Sequence, residues 1–323
     1  MPPPSRIVCL GGAAVDRVYR LAGPAVAGTS NPATVGGSPG GVARNVAELL
    51  ARLETPVSLV SVIGDDEGGR SLLADLAALG VDTAGTVAIA GAATAEYAAV
   101  TDPDGDLVIG VAAMAVLDRL DAALVTANTD RLRAADWVFA DCNAAADGLA
   151  ALIALRRGAG FRLAVDAVST PKVRRLPADL AGVDVLFLNA DEARALIGMG
   201  ESEAMTAGPA ALADAVLARG AGAVVLTLGA DGALVTDSAG TVAVPAAPAT
   251  IAEVTGAGDS LIAATLWRLA AGDELDAAVR FGSALAALTL EATGSVRRDL
   301  PREALAATVA ARAASLPPNT RIA

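Results

Sequence analysis

The chain has 323 residues, 54% of them hydrophobic and only 2% aromatic, with a net charge of −12. Its length allows a large α/β core, while its acidity excludes a general role on nucleic acid or an anionic membrane, which would repel it. There is no histidine, and Lys172 is the single lysine, so His-ligated metal sites, Ser-His-Asp triads and the Gly-Lys-Ser/Thr phosphate loop are excluded.

The N-terminal MPPPSRIVCLGG lacks a charged segment followed by a long apolar run, so no signal peptide is expected. RIVCLGG itself reads as a buried strand. Residues 17–35 look like strands with turns. VARNVAELLARL at 42–53 is a helix pattern, with Val42, Val46, Leu49, Leu50 and Leu53 on one face. VSLVSVIG (57–64) is a strand and GRSLLADLAALG (69–80) a helix. Residues 94–113 again read as strands, and DPDG at 102–105 signals a hairpin. WVFADCN, RLAVDAV, VDVLFLN and AVVLTLG are buried strands ending in small or polar residues. AALADAVLARG and DAAVRFGSALAALTLEA are helical, and the final SLPPNTRIA reads as a loose tail. Strand–helix alternation predicts a mainly parallel sheet with helices on both faces. Ligands then bind at the carboxyl ends of the strands. No strand–helix junction carries G-x-G-x-x-G, so a dinucleotide fold lacks its signature. Only Cys9 and Cys142 are present, which suits a reducing, cytoplasmic setting. No apolar stretch is long enough to suggest a membrane span.

EVTGAGDSLIAATLWRL at 253–269 sets Gly-Ala-Gly-Asp ahead of an amphipathic helix. A helix start offers free N–H donors and the positive dipole end, a place for an anion. Asp259 puts a carboxylate there too, either as an N-cap or as a group working beside a bound anion. GGSPGG at 36–41 would let the backbone approach a ligand closely.

VTGAGDSLIAA resembles the C-terminal signature of the ribokinase-like (PfkB) carbohydrate and nucleoside kinases. GGSPGGVARNVA at 36–47 resembles the N-terminal one, and GDDEGG (64–69), FLNADEA (187–193) and LTLGADGALV (226–235) follow in the family's order. Within it, SPGGVARN (38–45), ADCN (140–143) and VDAVSTPK (165–172) look most like pseudouridine kinases, with Ala167 where proline is usual. The resemblance implies a three-layer α/β fold over 1–323 as one domain, with a small β-sheet lid from about 17–35 and 94–113. It also implies an ATP-dependent kinase acting on the 5′-hydroxyl of pseudouridine. Ribokinase or another nucleoside or sugar kinase is the alternative, and a non-catalytic nucleoside-binding regulator a more distant one.

The same resemblance assigns roles. Asp259 would be the general base, and the backbone of Gly256, Ala257 and Gly258 the anion hole. Asp16, Gly40, Gly41 and Asn45 would hold the sugar. A carboxylate at 16 suits a vicinal diol, since it accepts from two hydroxyls. Tyr97 would touch a planar ligand or merely cover apolar surface, and Asn143 would line the same crevice. Asn189, Thr227, Gly229 and Ser283 would lie along ATP. Glu192 would organise Mg²⁺ through water, unless it is only a first-turn helix residue. Glu253 and Thr255 fall where relatives bind a monovalent cation, so K⁺ is a candidate. Lys172 would approach the ATP phosphates or the transferred group, as a compact charge that guanidinium does not replace, or else be a surface accident. A homodimer through the lid is implied as well.

Overall fold

The short apolar runs become the centre of one sheet. The computed structural model describes residues 6–199 and 208–322; the first five residues and Ala323, which carry part of the terminal readings, lie outside them. Among the described residues the strands are β1 (Ile7–Leu10), β2 (Ala14–Leu21), β3 (Ala33–Gly40), β4 (Val57–Val60), β5 (Val62–Gly64), β6 (Val87–Ile89), β7 (Ala95–Thr101), β8 (Leu107–Ala113), β9 (Trp137–Asp141), β10 (Arg162–Asp166), β11 (Val185–Asn189), β12 (Ala223–Thr227), β13 (Ala233–Asp237), β14 (Gly240–Val244) and β15 (Thr320–Ile322). The large sheet runs β15-β14-β13-β12-β11-β10-β9-β1-β4. From β12 to β4 every pairing is parallel, and the β12–β15 edge is antiparallel.

Why the central strands read as unbroken apolar runs follows from their two faces. Ile7, Cys9, Trp137, Phe139, Ala164, Phe187 and Val225 pack with the helices Val42–Arg52, Ala257–Ala270, Leu275–Leu290 and Arg302–Ser315. Their neighbours Val8, Leu10, Val138, Ala140, Val165, Leu186 and Val224 pack on the other side with Ala146–Arg157 and Pro209–Leu217. Side chains alternate across a strand, so a strand covered on both faces must be apolar at every position. The expected layering is therefore present. No described helix is long and apolar enough to cross a membrane.

A second sheet, β3-β2-β7-β8, stands apart from the first. It is built from the two segments that break the strand–helix alternation. β2 and β7 pair in parallel, and hairpins join β2 to β3 and β7 to β8. In the DPDG turn the Asp102 carboxylate accepts from the amides of Asp104, Gly105 and Asp106. All of β8 is solvent-exposed, including Leu107, Val108, Ile109 and Val111.

One expectation is corrected. The C-terminal segment is not loose: Thr320–Ile322 pairs antiparallel with β14. Arg280 pins the approach by donating to the carbonyls of Ala313, Leu316 and Pro317 and to Asn319 Oδ1. An edge strand presents unpaired N–H and C=O groups. Those of β14 take up a tail whose composition carries no strand signal.

Candidate active site

The carboxyl ends of the parallel strands converge on two glycine turns. After β3 the chain passes Gly41, at φ 94, and enters the Val42–Arg52 helix. A side chain at Gly41 would stand 2.5 Å from the Gly12 carbonyl oxygen, so backbone meets backbone there. Asp16 on β2 lies against Gly40, where an added Cβ would fall 2.1 Å from Asp16 Oδ2. Burial raises the Asp16 carboxyl above its ordinary range, with the Arg44 charge opposing. Tyr97 is the cross-strand partner of Asp16, and its hydroxyl crowds Gly110 of β8, so the ring lies along the small sheet.

Gly256 makes the second turn, at φ 81, and is the N-cap of Ala257–Ala270. The first amide bonded within that helix is Ser260, donating to Gly256 at 2.9 Å. The amides of Ala257, Gly258 and Asp259 precede the ladder and sit at the dipole's positive end. Asp259 is not the N-cap: no side chain caps this helix, and Asp259 stands in its first turn. Its Oδ2 instead accepts from Asn45 Nδ2 at 2.7 Å, tying the two glycine turns together. Burial pushes its pKa up to about 6, against the Asn45 hydrogen bond, which lowers it.

Beside Asp259 lies a cavity of about 180 Å³, lined in part by Asp166, Asn189, Glu192, Thr227 and Gly258. A wider one of about 440 Å³ adjoins it, shares Asn189 and Thr227, and extends past Gly229 and Asp231. Asn189 and Glu192 form a reciprocal helix cap. Glu192 N–H donates to Asn189 Oδ1 at 2.9 Å, and Asn189 N–H donates to Glu192 Oε2 at 2.8 Å. The helix-start alternative for Glu192 is thus realised, and the residue also lines the cavity. Burial raises Glu192. It raises Asp166 well above the carboxylate range too, helped by the charges of Asp259, Glu192 and Asp141.

Acidic groups crowded at the end of a sheet suit a hard divalent cation. Among the described residues no three Asp, Glu or Cys side chains converge closely enough to hold one unaided. The donors suit a nucleotide-borne divalent cation reached through water; Asp166, Glu192 and Asp259 line the cavity of about 180 Å³, Asp191 and Asp231 the wider one.

Lys172 is no surface accident. Nζ donates to Asn143 Oδ1 at 2.5 Å, and burial lowers its pKa. This sets it at the ends of β9 and β10, two strands from the Thr227 end of β12. Its ammonium is thus bonded to Asn143, and contact with the ATP phosphates or the transferred group stays a proposal. Three expected residues are not gathered here. The buried Ser283 hydroxyl donates to the Pro245 carbonyl and accepts from Ala247 N–H. Glu253 accepts from the Gly294 amide, and Thr255 is exposed.

Residues to which the sequence assigned no role complete the arrangement. The fully buried Asp141 carboxylate accepts from the amides of Gly12, Ala43 and Asn143, at 2.9, 2.8 and 2.9 Å. It joins the end of β1, the start of the Val42–Arg52 helix and the end of β9. Ser295 packs its carbonyl against Gly256, where any Cβ would be 2.0 Å away. Arg44 donates to Asn45 Oδ1 at 2.5 Å.

A model of the pfkB family of carbohydrate kinases matches residues 4–302. The chain belongs to this family. Among its pfkB relatives, the pseudouridine kinase of Escherichia coli (strain K12) is 29% identical over 84% of this chain and 86% of that one. The fructoselysine 6-kinase of the same organism is 31% identical over 79% of this chain and 91% of that one. An uncharacterized sugar kinase, YeiI, also from that organism, is 40% identical over 120 residues, 37% of this chain; the matched stretch spans a third of that relative's length. A carbohydrate kinase from Agrobacterium tumefaciens is 27% identical, with a TM-score of 0.84 over 98% of this chain and 100% of that one. The ribokinase of Thermotoga maritima, at 20% identity, shares the fold with a TM-score of 0.79 over 95% and 100%. The fold is ribokinase-like, and the pfkB protein is a kinase for a sugar or nucleoside alcohol.

Proposed function

We propose that the protein is an ATP-dependent kinase that phosphorylates the 5′-hydroxyl of pseudouridine. The observation that carries the chemistry is the Asn45–Asp259 hydrogen bond. It sets a carboxylate at the first turn of a helix directly against the turn assigned to the sugar. Asp16 would accept hydrogen bonds from the ribose diol, with Gly40 and Gly41 letting the sugar approach the backbone. The 5′-oxygen would attack the γ-phosphorus, its proton would pass to Asp259, and the bond from phosphorus to the bridging β–γ oxygen would break, leaving ADP. The amides of Gly256, Ala257 and Gly258 would stabilise charge on the transferring group. Mg²⁺ bound with the nucleotide would neutralise phosphate charge. Asn189, Thr227 and Gly229 would border ATP in the wider cavity, and Glu192 would orient water on that side. Glu253 and Thr255 remain the candidates for a K⁺ effect.

Pseudouridine is favoured by the breadth of the match to a pseudouridine kinase; Asn143 and Lys172, bonded to each other, would turn their remaining donors toward a polar base. Phosphorylation of ribose or another sugar is the second reading, because the fructoselysine 6-kinase match is of similar extent. The small sheet would act as a lid that excludes water. The exposed apolar side chains of β8 support pairing with a second copy. The buried, unpaired thiols of Cys9 and Cys142 suit the cytoplasm.

ADP release should be measured with pseudouridine, uridine, ribose, adenosine and fructose in the presence of Mg²⁺ and ATP. The expected result is the highest specificity constant for pseudouridine. A higher value for ribose would overturn the substrate, and binding without ADP release from any acceptor would favour a regulator.

A further inference from the structure

Arg44 is buried to 0% exposure on the Val42–Arg52 helix. A guanidinium has five donors and no acceptor. One arm, Nη1, donates to Asn45 Oδ1 at 2.5 Å and to the Pro39 carbonyl at 3.2 Å. The other, Nη2, donates to Glu48, one turn along the helix. Glu48 is itself 2% exposed. Arg298 grips it from the far side through Nε to Oε1 at 2.8 Å and Nη2 to Oε2 at 2.7 Å. Arg52 adds a third guanidinium at 3.1 Å.

This arrangement settles which way the Asn45 amide points. Its oxygen faces a group that can only donate, so its NH₂ faces Asp259. A flipped amide would set NH₂ against guanidinium and oxygen against carboxylate, two repulsions at once. Burying an ion pair contributes little to stability compared with apolar packing of equal size, whereas it can fix one geometry among several. Burial and the neighbouring Arg298 push Arg44 down to about 9, which leaves it protonated, and donating, at neutral pH.

We propose that Arg44, clamped by Glu48 and Arg298, is a positioning residue that locks the Asn45 amide with its NH₂ toward Asp259. The inference rests on Asp259 being the base. Asp259 is faced by Arg44 and Asn45 from this helix, Asp16 from β2, Asp141 from β9 and Asp166 from β10. Against those carboxylates, a fixed donor and a nearby positive charge keep it ionised.

The test is a double-mutant cycle on ADP release, using whichever of the five acceptors has the highest specificity constant. Arg44→Met should lower kcat/KM at least about tenfold, with KM for ATP changed less than about twofold. It should move the acid limb of the pH–rate profile upward by on the order of one unit. Arg44→Lys, which keeps the charge and one donor, should recover part of both. In an Asn45→Ala background, Arg44→Met should cost less than about twofold more, because its partner is already gone. Equal losses in both backgrounds, or an unmoved acid limb in a folded variant, would overturn the proposal and leave Arg44 a packing residue. Should Arg44→Met fail to fold, Arg298→Met removes the clamp from its 41%-exposed end. It should produce the same upward displacement, and an unmoved limb there counts against the proposal equally. Asp259→Asn is run alongside. Near-normal turnover in that variant removes the base reading itself, whatever the Arg44 variants do.

Discussion

Asp259→Asn should separate stability from turnover in opposite directions. The carboxyl ordinarily titrates at 3.8 and is raised to about 6 in the folded chain, chiefly by burial. At about 1.36 kcal/mol per pKa unit, the ionised form is up to about 3 kcal/mol less favourable folded than unfolded. The sign follows from linkage: the group costs nothing below its unfolded pKa, and the cost grows as pH rises until it is complete above about 6. Asparagine keeps the shape without the charge, so the variant should be more stable than the parent by up to about 3 kcal/mol at neutral pH. The gain should shrink below about 1 kcal/mol near pH 4. Turnover should fall by about 10²–10⁴, the usual share of a positioned base. Urea unfolding of both proteins at the two pH values, with ADP release measured on the same preparations, provides the check. A variant no more stable at neutral pH would refute the burial argument. A stabilised variant with near-normal turnover would refute the role of base.

Other expectations follow from individual contacts. Gly40→Ala should displace the Asp16 carboxylate, which stands 2.1 Å from the new Cβ, and raise KM for the acceptor at least about tenfold. An unchanged KM would remove Asp16 from the sugar site. Lys172, lowered by burial and bonded to Asn143, should react with an amine reagent at a lower pH than a free lysine does, read by mass spectrometry of its peptide. Acceptor should protect it and ATP alone should not; the reverse would return it to the nucleotide side. Ser283→Ala should cost about 1–3 kcal/mol in unfolding experiments, because the Ala247 amide loses its partner, with KM for ATP kept. A raised KM at unchanged stability would instead set Ser283 at the nucleotide.

The sequence was most legible where burial was two-sided. Runs such as WVFADCN announce strands because no position in them can be polar without a partner, and the amphipathic stripe of VARNVAELLARL announces its helix. That same stripe hides what matters in the helix. Arg44, Asn45 and Glu48 look like its solvent face, yet all three are buried, because Pro39, Ser295 and Arg298 cover the side turned from the core. For Asp141 the motif ADCN was visible but not its role, which lies in accepting from amides at positions 12 and 43, more than ninety residues away in the chain. Ser283 shows a different limit: the family resemblance points to a ligand, whereas in the fold its hydroxyl bonds the backbone of Pro245 and Ala247. The tail strand escaped notice because exposed Thr, Arg and Ile carry no pattern, only an available edge.

The contact between Asn45 and Asp259 joins positions 214 residues apart. On the ribosome, the acceptor-side turn is therefore made long before the carboxylate that would activate the alcohol. A half-synthesised polypeptide, or a fragment cut anywhere between the two, can carry one side of the proposed reaction centre but not both. Under the proposed chemistry, phosphate transfer would report that both turns have been brought together, and a chain ending before the second would lack its carboxylate.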